Sequence, residues 1–191
     1  MQNLKAIRWI ILLIIPLVAG CPWSTESGKL PPPVTEKFLE RTSPENLLHN
    51  FGLAWERKNF EEYILLFSED YTFFFSDVDV EEHPDIPPSW GLEQDKEATR
   101  GLFEDTNVED VELDWVVGPR EESEFAQADV KILVTNIYLT VNIRDPEDGV
   151  LTTNIIQGAA DFHFRKTEET TAEGDTLWHI VVWKDLTTVG P

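Results

Sequence analysis

The sequence predicts an α+β domain in which N-terminal helices pack on a long curved antiparallel sheet. Three observations predict this class. Apolar residues first recur at helical spacing, at Leu47, Leu48, Phe51, Ala54 and Trp55. Later segments alternate apolar and polar residues with the period of a strand, beginning with Val111, Leu113, Trp115 and Val117. Helical segments come first and strands follow, an order that favours an α+β arrangement over alternating βαβ units.

Each element has local support. Ser43 is placed to cap the first helix, with Pro44 at its first position and Glu45 near its positive end. Asn59 followed by Glu62 resembles a capping box that restarts a short second helix, buried through Tyr63, Leu66 and Phe67. Tyr71 to Phe75 reads as a strand, and Pro84, Pro87 and Pro88 interrupt the chain in a loop. Gly91 to Asp105 reads as a third helix. Ala128 to Arg144 is a long strand whose apolar phase changes from even positions (Val130, Ile132, Val134) to odd ones (Ile137, Leu139, Val141, Ile143). A bulge near Thr135–Asn136 accounts for the change. Asp145 to Gly149 makes a turn. Asn154 to Lys166 returns with Phe162 and Phe164 on one face, a polar loop follows from Thr167 to Asp175, and Leu177 to Leu186 closes the domain.

Composition bounds the function. Fifteen Lys and Arg stand against 36 Asp and Glu, a formal charge of −21. Such a surface repels phosphate backbones, so no nucleic-acid partner is expected. The single cysteine, Cys21, rules out an internal disulfide.

The N-terminus carries a different signal. Lys5 and Arg8 precede the apolar run Trp9 to Gly20. Its length suits a signal peptide, which needs about 7–15 apolar residues, and not a spanning helix, which needs about 20. The run ends Leu17-Val18-Ala19-Gly20-Cys21, which resembles the bacterial lipobox. That resemblance implies cleavage before Cys21 and lipidation of its thiol, with palmitate among the acyl groups expected on the new terminus. The membrane is then a partner through the lipid, and the chain is expected in the bacterial cell envelope on its extracytoplasmic side. Residues 1–20 are thus read as a lipoprotein signal peptide, residues 21–42 as a tether containing Pro31-Pro32-Pro33, and residues 43–191 as one domain.

The element order resembles the nuclear transport factor 2-like superfamily, which includes SnoaL-like and ketosteroid-isomerase-like proteins. Four pieces carry the likeness: Ser43 through Tyr71-Thr72-Phe73, the helix around Lys96 to Glu104, Gly158 to Arg165, and Trp178 to Asp185. The resemblance implies a cone with a cavity at its wide end and, on the outer sheet face, a homodimer contact. It carries over no catalytic residue, because none of the family's motifs aligns residue by residue.

Asp161 and His163 are the candidate catalytic pair, since residues two apart on a strand share a face and an acid can orient an imidazole base. Phe162 and Phe164 point the other way. If these line the cone, the pair lies outside it. Gly158 and Ala160 leave room for a ligand or a helix. His179 alternates with apolar neighbours and reads as a packing residue. Trp90, in the proline-rich loop, is the candidate ligand contact at the cavity mouth. Asp77 to Asp85 places acids at alternate positions but lacks the central glycine and terminal glutamate of an EF-hand, so it reads as a solvated acidic loop. No metal and no cofactor is expected. The functional expectation is a non-catalytic envelope domain that binds a small apolar ligand or a protein partner. The alternatives are a pocket enzyme (isomerase, dehydratase or hydrolase) acting on a hydrophobic molecule, and a structural subunit with a filled cone.

Overall fold

The computed structural model describes residues 36–187. The stretch expected to be a signal peptide, Cys21 and the part of the expected tether up to Thr35 lie outside the described residues, as do the last four. Among the described residues no helix is long and apolar enough to cross a membrane.

The elements run α1 (Pro44–Glu56), α2 (Phe60–Ile64), β1 (Phe67–Phe74), α3 (Asp77–Glu82), β2 (Ser89–Gly91), α4 (Leu92–Glu104), β3 (Val108–Glu122), β4 (Val130–Arg144), β5 (Leu151–Thr170) and β6 (Thr176–Asp185). They form one six-stranded sheet in the order β2-β1-β6-β5-β4-β3, and this is the α+β fold that the sequence predicts. β3, β4, β5 and β6 pair antiparallel in succession. The short β1 then joins β6 in parallel, and β2 adds antiparallel to β1. The sheet is therefore mixed at one edge. The parallel pair follows from the helices lying between β1 and the later strands, which leave β1 free to enter in either sense.

Local chemistry sets the boundaries. Ser43 Oγ accepts from the Asn46 amide and Asn59 Oδ1 from the Glu62 amide, so both expected caps form. β1 starts at Phe67, ahead of the expected Tyr71, because α2 ends at Ile64 and Phe67 already pairs with Ile180. The acidic run expected as loop contains α3. Ser76 Oγ caps it by accepting from the Asp79 amide at 3.1 Å, and Asp77 and Asp79 sit at its positive end. β5 continues to Thr170, so the polar loop shrinks to the turn at Thr171–Asp175. The bulge falls where the phase change predicts it. The β4–β5 register shifts between Val134 and Ile137, and Asn136 takes a left-handed φ of 51°.

Residues ahead of Ser43 also pack on the domain. Leu39 and Asn50 exchange two hydrogen bonds of 2.7 Å, and the Trp178 amide donates to the Arg41 carbonyl at 2.8 Å. The core lies between α1, α2, α4 and the inner sheet face. It is built from Leu47, Phe51, Tyr63, Ile132, Phe162 and Phe164 with their neighbours.

Candidate functional site

The inner face opens beside α1 as an apolar notch of about 90 Å³. Phe51 and Trp55 from α1, Trp115 from β3, Leu139 from β4, Phe162 from β5 and Trp183 from β6 are among the residues lining it. Aromatic rings pack behind it. Phe51 stacks on Trp115 at 5.5 Å, and Phe162 stacks on Trp183 at 5.2 Å. The lining includes one carboxylate, Asp185, which accepts from the Thr187 amide at 2.8 Å and hydroxyl at 2.6 Å. The Trp55 indole Nε1 is buried with no hydrogen-bond partner.

Gly158 lies on the rim, where space for a ligand or helix was expected. That space holds Thr187, whose hydroxyl would overlap any Cβ added at Gly158. The Leu186 amide secures this crossing by donating to the Ala159 carbonyl at 2.9 Å.

Asp161 and His163 are placed on the opposite face of β5 from Phe162, as their phase requires. Yet they are not solvated. His163 is fully buried and Asp161 is 9% exposed, because the β3–β4 loop folds over them. His163 Nδ1 pairs with Ser123 Oγ at 2.8 Å, and Phe125 meets the ring edge-on at 4.7 Å. Burial holds the His163 pKa below its ordinary value. The sheet separates this pair from the notch, so it cannot act on a group held there.

Trp90 is also away from the notch. It lies on β2 opposite Phe73 and packs on Phe73 at 5.5 Å and Phe75 at 4.8 Å. His179 is half-buried, and Arg41 reaches its Nε2 at 2.7 Å. A guanidinium only donates, so that nitrogen accepts and the ring is neutral. Burial, then the Arg41 charge, keeps the His179 pKa low.

Sequence reading missed Asp95. This carboxyl sits on α4, 3% exposed, and accepts from Tyr63 at 2.8 Å and Tyr71 at 3.5 Å. Burial raises its pKa to about 6, against the lowering effect of the two hydroxyls. The amphipathic pattern of α4 held the one available signal, an acid at a position facing the core. Asp95 does not line the notch.

No protein-family model matches the sequence, and no curated protein matches it significantly. Solved structures do match. The Kfla4162 protein from Kribbella flavida has a TM-score of 0.50 at 15% identity, over 75% of this chain and 87% of that one. An NTF2-like protein of unknown function in nutrient uptake from Rhodospirillum rubrum gives 0.44 at 12% identity, over 77% and 99%. A ketosteroid isomerase-like protein from Erwinia carotovora atroseptica gives 0.44 at 15%, over 77% and 94%. At 15% identity the likeness to the Kfla4162 protein reaches the fold and stops short of activity.

Proposed function

We propose that this chain, which has the nuclear transport factor 2-like fold, is a non-catalytic binding domain held at the bacterial envelope by lipid on Cys21. Its notch takes a single apolar group, either a side chain of a protein partner or an equally small free ligand. One observation carries this reading: the notch is apolar and small, and its carboxylate is already engaged by Thr187. Ordinary small-molecule sites occupy roughly 300–1,000 Å³. A notch of about 90 Å³ has no room for a large hydrophobic substrate. Asp95, His163, Tyr63 and Tyr71, buried groups with displaced pKa values, all lie elsewhere, which weighs against the pocket-enzyme alternative. The aromatic stack behind the notch supports the filled-cone structural role as the second reading.

Toluene and indole carry the right side-chain chemistry as probes. Titrated into the full chain, each is expected to give a saturable change in tryptophan fluorescence, since Trp55, Trp115 and Trp183 line the notch. Ile137→Phe adds bulk from β4 and is expected to weaken that response at least tenfold. Absence of any saturable response sinks the binding reading, and chemical conversion of a probe by the chain sinks the non-catalytic one.

The anchor is tested separately. Cys21→Ser is expected to move the chain from the membrane to the soluble fraction and to abolish labelling by an alkyne fatty acid. Unchanged partitioning would defeat it. A homodimer through the outer sheet face is a further part of the reading. Val116, Leu133, Tyr138 and Ile155 on that face are 38–58% exposed, an apolar surface suited to a second copy.

A further inference from the structure

The cluster under the β3–β4 loop has chemistry of its own. Glu124 comes from the loop, Asp161 and His163 from β5, and their ligand-type atoms lie within 4.8 Å of one another. Of the two His163 nitrogens, Nδ1 is taken by Ser123 Oγ, which also accepts from the Phe125 amide at 3.1 Å. Nε2 is buried and has no partner. A buried polar nitrogen left unpaired destabilises the fold, so a group that satisfies it has something to gain. In the tautomer that donates Nδ1–H to the serine, the free lone pair is on Nε2. This is the tautomer by which a second-shell acceptor prepares a histidine for a metal.

We propose that Glu124, Asp161 and His163 bind a divalent first-row cation, Zn²⁺ foremost, which pins the β3–β4 loop to β5. One imidazole and two carboxylates make the mixed N/O donor set that zinc accepts, with water completing the coordination. The sequence does not suggest the site, because Glu124 is far from the other two in the chain and only the folded loop brings it over the sheet. Lys131 is the competitor. Its Nζ lies 3.3 Å from Glu124 and 4.0 Å from Glu121. A bound cation displaces this ammonium from Glu124 and leaves it to Glu121.

The test is calorimetric titration of the full, chelator-stripped chain with ZnCl₂, and Co²⁺ absorption reports ligand geometry. One equivalent is expected to bind more tightly than the diffuse background that so acidic a chain attracts. Glu124→Gln, at an exposed position where the fold tolerates change, is expected to weaken that step at least tenfold. Glu168→Gln, an exposed acid far along β5, is expected to leave it unchanged. Lys131→Ala is expected to tighten it several-fold, and His163→Gln to abolish the tetrahedral Co²⁺ spectrum. A titration without a one-equivalent step overturns the proposal. So does equal weakening by Glu124→Gln and Glu168→Gln, which would make the binding diffuse attraction to the acidic surface.

Discussion

Phe51→Ala is expected to destabilise the domain by about 3–5 kcal/mol, the usual cost of emptying a buried phenylalanine site. Phe51 is 2% exposed and ties every layer of the core together. Its ring meets Trp55 on its own helix at 6.0 Å, Tyr63 on α2 at 5.7 Å, Trp115 on β3 at 5.5 Å, Phe162 on β5 at 5.4 Å and Trp183 on β6 at 5.3 Å. These partners brace one another. Phe162 is stacked on Trp183, and Trp55 packs edge-on against Tyr63 at 6.2 Å. Large rings held from several sides cannot collapse into the vacated space, so the cavity term persists and the upper half of the range is expected. A domain of this size has about 5–15 kcal/mol of stability, so the variant keeps only part of it. Urea unfolding followed by tryptophan fluorescence measures the change. Leu65→Ala, at a half-exposed residue, should shift the midpoint hardly at all. A loss below 1 kcal/mol for Phe51→Ala would mean that the aromatic cluster is not the centre of the core.

Much of this architecture is legible in the sequence, and what is not has physical causes. The helix caps at Ser43 and Asn59 are local, made by side chains within three residues of the amides they satisfy. The bulge in β4 leaves a written trace, because slipping by one position exchanges the odd and even faces. The parallel entry of β1 leaves none. Its residues alternate the same way whichever direction the neighbouring strand runs. α3 was hidden by composition. Its face contributes no buried residue, so no apolar period marks it, and the Ser76 cap with Asp77 and Asp79 at the positive end sets it.

The candidate site divides in the same way. The phase of β5 correctly separates Asp161 and His163 from Phe162 and Phe164. What that phase cannot reveal is that the outer face is covered. Burial of His163 depends on Ser123 and Phe125, in a loop distant in sequence. Phe125 in turn stacks on Phe74 at 5.8 Å, which extends this outer cluster to β1. The sheet therefore has two buried faces at this level, one packed by helices and one by a hairpin loop. The small residues Gly158 and Ala160 leave space in the sequence pattern, and the chain itself uses the space at Gly158 through Thr187. A glycine in a strand marks close approach of some group, and sequence alone does not say whose.

Asp95→Asn is expected to change how stability depends on pH, by about 2.4 kcal/mol between pH 4 and pH 7. The carboxyl is displaced from an ordinary value of 3.8 to about 6 in the folded chain. That displacement corresponds to about 3 kcal/mol of linkage. The sign follows from which state binds the proton. Well below pH 4 the acid is neutral both folded and unfolded, and this group's contribution to stability is fully present. Between about pH 4 and 6 the unfolded chain releases the proton while the folded chain retains it, so stability falls as pH rises. Above pH 6 both states are ionised, and the penalty of burying the charge beside Tyr63 and Tyr71 is constant. An acid held by a cation acts oppositely. Asp70, held down to about 2 by Arg165, contributes stability that is lost only as pH falls towards that value, below this window. Asparagine keeps the shape and an acceptor oxygen for the Tyr63 hydroxyl but has no proton to lose in this range. The quantity to measure is the unfolding free energy of Asp95→Asn minus that of the parent, by urea titration at each half pH unit from 4 to 8. It is expected to rise by about 2.4 kcal/mol across pH 4–7 and then level off, so that the variant gains on the parent at neutral pH. A difference that stays flat across the window would place an ionised or solvated Asp95 in the folded protein and refute the buried, proton-retaining carboxyl.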